Sequence, residues 1–240
     1  MPFVTEDGII VPAVTADQMR EVDRIAVEEF GLGILQMMEN AGRNLAGNVL
    51  DMLGVATGEI TILAGSGGNG GGGICCGRHL HNRGFRVRIV LDTEPKHLGP
   101  ASSNQLRIVQ AAGLQPAAPS EAEDAIRRAD IVVDALIGYG LRGAPLGQTA
   151  ELIECCNGLA ERVLALDVPS GMDATTGEAP AAVVRAERTL TLALPKTGLE
   201  HIKGDLYLAD IGIPPQIYEQ LGLAVDLPFD THYWIRLHTG

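Results

Sequence analysis

A chain of 240 residues with 46% hydrophobic and 20% charged residues has enough apolar material for a sizeable core and too little charge to read as disordered. Its formal charge of −12, with no Lys/Arg cluster, excludes a broad nucleic-acid surface, and no apolar run is long enough to span a bilayer. No basic segment followed by an apolar one opens the sequence, so the expectation is a soluble, cytoplasmic protein. Its four cysteines form two vicinal pairs, Cys75-Cys76 and Cys155-Cys156, expected to be reduced and packed as small hydrophobes.

Thr15 and Gln18 have the spacing of a capping box, and Met19, Val22, Ile25 and Ala26 follow at helical intervals until Gly31 and Gly33 stop the helix. A second helix is predicted over Ile34 to Leu53, with Met37 and Met38 read as core packing. Ile60 to Ala64 is a short β-branched run of the buried-strand type. The stretch Gly65 to Gly73, GSGGNGGGG, reads as a loop, and a helix resumes from Ile74 to Asn82. Strands at Val87–Leu91, Ile131–Ile137 and Val163–Leu166 alternate with helices at Ser102–Ala112, Glu121–Arg128 and Thr149–Asn157. Thr189–Leu194 and Leu206–Leu208 read as later strands closing one edge, with Lys203-Gly204-Asp205 a turn before the last strand. The tail from Pro228, carrying Phe229, Tyr233 and Trp234, reads either as docked on the body or a partner subunit, or as a ligand lid. The alternation implies an α/β fold over residues 1–240 as one domain: a Rossmann-like, doubly wound, mostly parallel sheet between helices in three layers, behind an N-terminal helical lead.

Ligands of such sheets bind beyond the carboxyl ends of the strands, and three unusual segments fall there. Gly65 to Gly73 offers uncrowded backbone N–H groups at a helix mouth, suited to an anion; with no GK[ST] it is not a P-loop. Asp92, about 20 residues on, is either a ribose-binding acid or a solvated strand end. Gly138 to Pro145 follows IVVDALIG, whose Asp134 sits among apolar neighbours and needs a hydrogen bond or a cation. In LDVPSGMDATTGE, Asp167 stands at a strand end beside the rigid Pro169-Ser170-Gly171 turn. Ser170 lacks the G-x-S-x-G context of a nucleophile, and none of the six histidines forms a metal-spaced pair with carboxylates.

These segments, with VTADQMREVDR, LQMMENAGRNLA, VDALIGYGLRG, LTLALPKTGL and LADIGIP, together resemble the YjeF N-terminal domain family, whose enzymes are NAD(P)HX epimerases. The resemblance implies interconversion of the R and S epimers of hydrated NADH and NADPH, alongside a dehydratase on another chain. Nucleic acid and membrane are not expected as partners, and the N-terminal helices and the tail are the two candidate homodimer surfaces. The family's NNGGD loop falls on Gly68, Asn69, Gly70, Gly71 and Gly72, and substrate contacts are implied there, at Gly138, Tyr139, Gly140, Leu141, Arg142, Gly143 and Ala144, and at Asp167. A potassium ion is implied on Asn69, Asp134 and Ser170. Asp167 is the candidate proton-transfer group, and Lys196 either supplies charge or a proton or is a solvated loop lysine. Gly68 and Gly72 depart from the Asn and Asp of the pattern, which keeps open a catalytically degenerate binding module; a plain NAD-dependent dehydrogenase is disfavoured because VPSG and the helical lead have no role in it.

Overall fold

The computed structural model describes residues 3–225 and 228–239; Met1, Pro2, Asp226, Leu227 and Gly240, part of the expected domain span, lie outside the described residues. The first residues form a small hairpin, β1 (Phe3–Thr5) and β2 (Ile10–Val11), which the sequence reading passed over. Helix α1 (Ala16–Glu28) starts on the expected capping box: Gln18 N–H donates to Thr15 Oγ1 at 3.2 Å, and Thr15 N–H to Gln18 Oε1 at 2.9 Å. Helix α2 (Ile34–Leu53) has the expected bounds and ends on Gly54, whose φ of +63° is the left-handed conformation that glycine adopts at least cost.

From here strand and helix alternate: β3 (Glu59–Ala64), α3 (Gly68–His81), β4 (Arg86–Leu91), α4 (Pro100–Ala111), α5 (Ala122–Arg128) and β5 (Ile131–Ala135). Then come α6 (Gly147–Leu159), β6 (Val163–Leu166), β7 (Arg188–Leu192), β8 (Asp205–Ala209), α7 (Pro215–Gln220) and β9 (Trp234–Thr239). The sheet order is β2-β1-β9-β8-β7-β6-β5-β3-β4, parallel from β4 to β8 and antiparallel beyond. The expected edge is therefore corrected: β7 and β8 are interior, and β8 is not the last strand. The tail supplies β9, which pairs with β8 on one side and β1 on the other. Phe229 is buried, a Cβ on Gly47 would lie 2.8 Å from the Trp234 ring, and none of the three tail aromatics lines the main cleft, so the tail is docked structure and not a lid.

Strand alternation sorts the core into layers. Ile60, Ile62 and Ala64 of β3 pack with α2, α3 and α4 on one face, while Leu63 packs with α5 and α6 on the other. Thr61, on that second face, is satisfied by donating from Oγ1 to the Ala125 carbonyl at 2.8 Å. Helices α1 and α7 cover Leu206, Leu208 and Leu237 at the β8–β9 end. Each leucine or isoleucine so buried contributes roughly 1.5–3 kcal/mol. No helix among the described residues is long and apolar enough to cross a membrane.

The glycine run departs most from the sequence reading: α3 begins at Gly68, so most of the supposed loop is helix. Each interior glycine costs a helix roughly 0.5–1 kcal/mol relative to alanine. Packing offsets that cost, because a Cβ on Gly70 would stand 1.7 Å from the Gly65 carbonyl oxygen and one on Gly73 2.5 Å from Ala135 Cβ. Tertiary approach thus overrides helix propensity, which composition alone does not reveal.

Candidate active site

The chain runs from β3 to β4 on one side and returns to β5 on the other, so the loops after β3 and β5 part at this switch point. Gly65 N–H still bonds the Ala135 carbonyl at 3.1 Å, and beyond it the strands diverge around a cleft of about 650 Å³. That volume is in the range of small-molecule and cofactor sites.

One wall is a chain of buried polar contacts. Asp167 leaves β6 with φ +70°, a left-handed conformation costing an aspartate about 1–2 kcal/mol. This turn puts both carboxylate oxygens to use: Lys196 Nζ donates to Oδ1, and Tyr139 N–H donates to Oδ2 at 2.8 Å. Lys196 also donates to the Leu192 carbonyl at 2.8 Å, and it is 1% exposed against 2% for Asp167, which rules out a solvated loop lysine. The segment before α1 clamps this loop, with Val14 N–H donating to the Pro195 carbonyl at 2.9 Å and Thr197 N–H to the Val14 carbonyl at 3.0 Å.

Tyr139 extends the chain of contacts. Its hydroxyl donates to Asp23 Oδ2 on α1, a residue with no local motif to mark it in the sequence. Burial raises the Asp23 pKa above its ordinary value, despite the Tyr139 hydrogen bond and the charge of Lys196. A raised folded-state value means that the native protein holds the proton more tightly than the unfolded chain. Asp23 therefore contributes most stability below the ordinary carboxylate range, and that contribution is lost as pH rises through the folded value. Asp23→Asn is expected to gain stability relative to the parent between about pH 4 and about pH 7.5, read as urea midpoints. A gap independent of pH would contradict this.

Behind the cleft lies Asp134, wholly buried on β5 and, like Ser170, not among the residues that line the cleft. Ser170 N–H donates to its Oδ2 at 2.8 Å, Ser170 Oγ to its Oδ1 at 2.6 Å, and Leu136 N–H to Oδ1 at 3.2 Å. Burial still pushes its pKa up to about 6. Ser170 Oγ accepts from Ile137 N–H at 2.8 Å, and the neighbouring Gly138 brings Asn69 close: a Cβ there would lie 3.0 Å from Asn69 Oδ1 and 2.9 Å from Asp167 Oδ2. Asn69 Nδ2 is buried without a hydrogen-bond partner.

The structure thus joins Asp167, Lys196 and Tyr139 directly, joins Asp134 to Ser170, and lays Asn69 over Gly138 between the two groups. Of the residues the resemblance implies for substrate contact, Gly68, Asn69, Gly72, Gly138, Tyr139, Gly140, Arg142 and Asp167 line the cleft. Gly70, Gly71, Leu141, Gly143 and Ala144 do not. A Cβ on Gly71 would meet Met38 at 2.5 Å and Ser102 Oγ at 2.8 Å, so Gly70 and Gly71 serve close packing. Met37 and Met38, read as core, are buried and also line the cleft. Asp92 is there too, half-buried and accepting from Thr149 Oγ1 at 2.8 Å, hence no solvated strand end.

A further polar group lies outside the cleft lining. Among the described residues Glu39, Cys75 and His79 converge from α2 and α3 into a group with metal-ligand chemistry, although no spacing in the sequence links them. His79 Nε2 is 2.9 Å from Glu39 Oε1, and Cys75 Sγ donates to Oε2 at 3.4 Å. Arg78 also donates to Glu39 and to Cys75 Sγ, while its Nε is buried without a partner. Burial and the Glu39 charge push the Cys75 thiol up to about 12, leaving it protonated.

A doubly wound sheet with a glycine-opened helix and a buried Asp–Lys pair at its switch-point cleft defines a Rossmann-like α/β enzyme domain. Residues 34–198 match the family described as YjeF-related protein N-terminus, and the chain belongs to that family. It is 46% identical to an NAD(P)H-hydrate epimerase of Dehalogenimonas lykanthroporepellens, covering 99% of this chain and 97% of the relative. It is 35% identical to an NAD(P)H-hydrate epimerase of Rhodopirellula baltica, covering 93% of each. A Bifunctional NAD(P)H-hydrate repair enzyme Nnr of Hyperthermus butylicus is 36% identical over 93% of this chain and 42% of that protein. The crystal structure of yeast ynu0, YNL200c, superposes with a TM-score of 0.82 over 94% of this chain and 100% of the yeast chain at 18% identity, and shows the same fold.

Proposed function

We propose that this chain is an NAD(P)H-hydrate epimerase and that Asp167 and Lys196 carry the proton transfers. The similarity to epimerases over nearly the full length supports the reaction, and the buried ion pair in the cleft wall carries its assignment to residues. Water added to the enamine bond of a dihydronicotinamide leaves a hydroxyl on the carbon beside the ring nitrogen. Inverting that carbon requires one bond to break and re-form on the opposite face. In the step we assign, Asp167 takes the hydroxyl proton as the carbon–nitrogen bond opens to an aldehyde, and Lys196 protonates the nitrogen that receives the electron pair. Closure on the other face returns both protons. With purified protein, either epimer is expected to relax to the equilibrium mixture much faster than in buffer, as followed by chromatography. No acceleration would refute the reading.

We assign a potassium ion to Asn69, Asp134 and Ser170. Their oxygens suit a hard cation, Asp134 is a buried carboxylate with no salt bridge among the described residues, and Asn69 Oδ1 lies against Gly138, next to the Ile137 that Ser170 holds. Bound there, the ion supplies positive charge that keeps Asp134 ionised. Potassium at about a hundred times its dissociation constant should stabilise the protein by about 2.7 kcal/mol. Melting in potassium chloride should then exceed melting in an equal concentration of tetramethylammonium chloride by about 5–10 °C. Asp134→Asn is expected to abolish the difference.

A degenerate binding module is the second reading, because Gly68 and Gly72 lack the side chains of the family pattern. Against it, Asn69, Asp134, Asp167 and Ser170 of the pattern are all present, and Asp167 holds its ion pair with Lys196 in the cleft wall. A large activity gain in Gly68→Asn/Gly72→Asp would favour the degenerate reading. We further assign a dehydratase on another chain as functional partner, and a homodimer through the α1–α2 junction, where Phe30, Ile34 and Leu35 are each about 40% exposed.

A further inference from the structure

The proposed chemistry occupies one end of the cleft and leaves the other end without a role. Asp167 and Lys196 follow β6 and β7, whereas the cleft continues across β5 and β3 to Asp92 at the carboxyl end of β4. From β4 to β6, the strand that Asp167 follows, is three inter-strand steps, about 14 Å at ~4.8 Å each. That span holds two nucleosides, with a pyrophosphate between them facing the free N–H groups that open α3 after β3. If the nicotinamide sits against Asp167, the adenosine ribose falls at Asp92.

Asp92 is equipped for such a ligand. Its Oδ2 accepts from Thr149, but its Oδ1 is buried with no hydrogen-bond partner, an arrangement that costs free energy without a donor. Burial raises its pKa, and no cation is ion-paired to it among the described residues. The cations lining the cleft are Arg20, Arg142 and Lys196; Lys196 is committed to Asp167, and none of the three is bonded to Asp92.

We infer that Asp92 accepts the 2′-hydroxyl of the adenosine ribose and gives the site a preference for the hydrate of NADH over that of NADPH, an inference that rests on reading the cleft as an NAD(P)H-hydrate site. A ribose hydroxyl donates to the orphan oxygen. A 2′-phosphate in the same place sets like charges against each other with no cation opposite.

The test compares kcat/KM for the two hydrates, and dissociation constants for intact NADH and NADPH, in the unaltered protein and in Asp92→Asn, which keeps an oxygen for Thr149. The NADH forms are expected to be favoured by about tenfold or more in both measurements, and the variant should bring each pair within about threefold. Equal handling of the two forms by the unaltered protein, or an unchanged ratio in a folded variant, overturns the assignment. If the variant does not fold, the ratio in the unaltered protein decides. Tighter NADH binding without epimerisation of either hydrate would refute the epimerase reading and leave Asp92 in place. Equal epimerisation of both would do the reverse, and epimerisation of neither hydrate together with binding of neither cofactor would overturn both.

Discussion

Asp167→Asn is expected to lower the epimerisation rate by about 10²–10⁴-fold, the usual contribution of a positioned acid–base group. It should also cost about 3–5 kcal/mol of stability, because it leaves the Lys196 ammonium buried without its counter-charge. The two effects separate in the double variant Asp167→Asn/Lys196→Met, which removes both halves of the pair. Stability is expected to recover most of its loss there, since a buried pair replaced by neutral groups of similar size is often tolerated. Activity is expected to stay at or below that of the single variant. Urea denaturation beside initial rates gives both numbers. Recovery of activity in the double variant would show that the pair only holds the loop.

The second large effect lies in the glycine segment and concerns the fold. Gly70→Ala places a Cβ 1.7 Å from the Gly65 carbonyl oxygen and 2.6 Å from its carbon, both backbone atoms that cannot swing aside. A loss exceeding about 4 kcal/mol is expected, with nucleotide binding lost as β3 and α3 separate. Gly68→Ala is the control two residues away. With nothing within 4 Å of its added carbon, and at the first position of the helix, it should change stability by less than about 0.5 kcal/mol. Equal melting temperatures for the two variants would contradict the packing described for α3.

Where local rules decide conformation, the sequence was legible. The Thr15–Gln18 box, the bounds of α2 and the strand at Val163–Leu166 all follow from side-chain spacing and match the structure. The doubly wound order followed because alternating segments leave few topologies. What failed depends on distant partners. Glycines that read as a loop are helical because Gly65, Met38 and Ala135 come up against them, and β9 is a strand because β1 and β8 flank it. Asp134, Asp167 and Ser170 were found because polar residues among apolar strand ends are unusual in one dimension. Asp23 was missed because an acidic residue on an amphipathic helix is ordinary; only the fold turns it toward Tyr139. The Glu39–Cys75–His79 group was hidden for the same reason, its members coming from two helices.

The clamp between Val14 and the Pro195–Thr197 loop makes the minimal working unit larger than the stretch that defines the family. The family match covers residues 34–198, yet Val14 and Asp23 lie before it, one gripping the backbone on either side of Lys196 and the other holding the Tyr139 hydroxyl. The helical lead is thus a splint for the lysine. A fragment trimmed to the family boundaries would keep Asp167, Ser170 and the glycine segment but free Lys196 to leave its carboxylate, so it would hold most of the recognisable motifs and little of the chemistry.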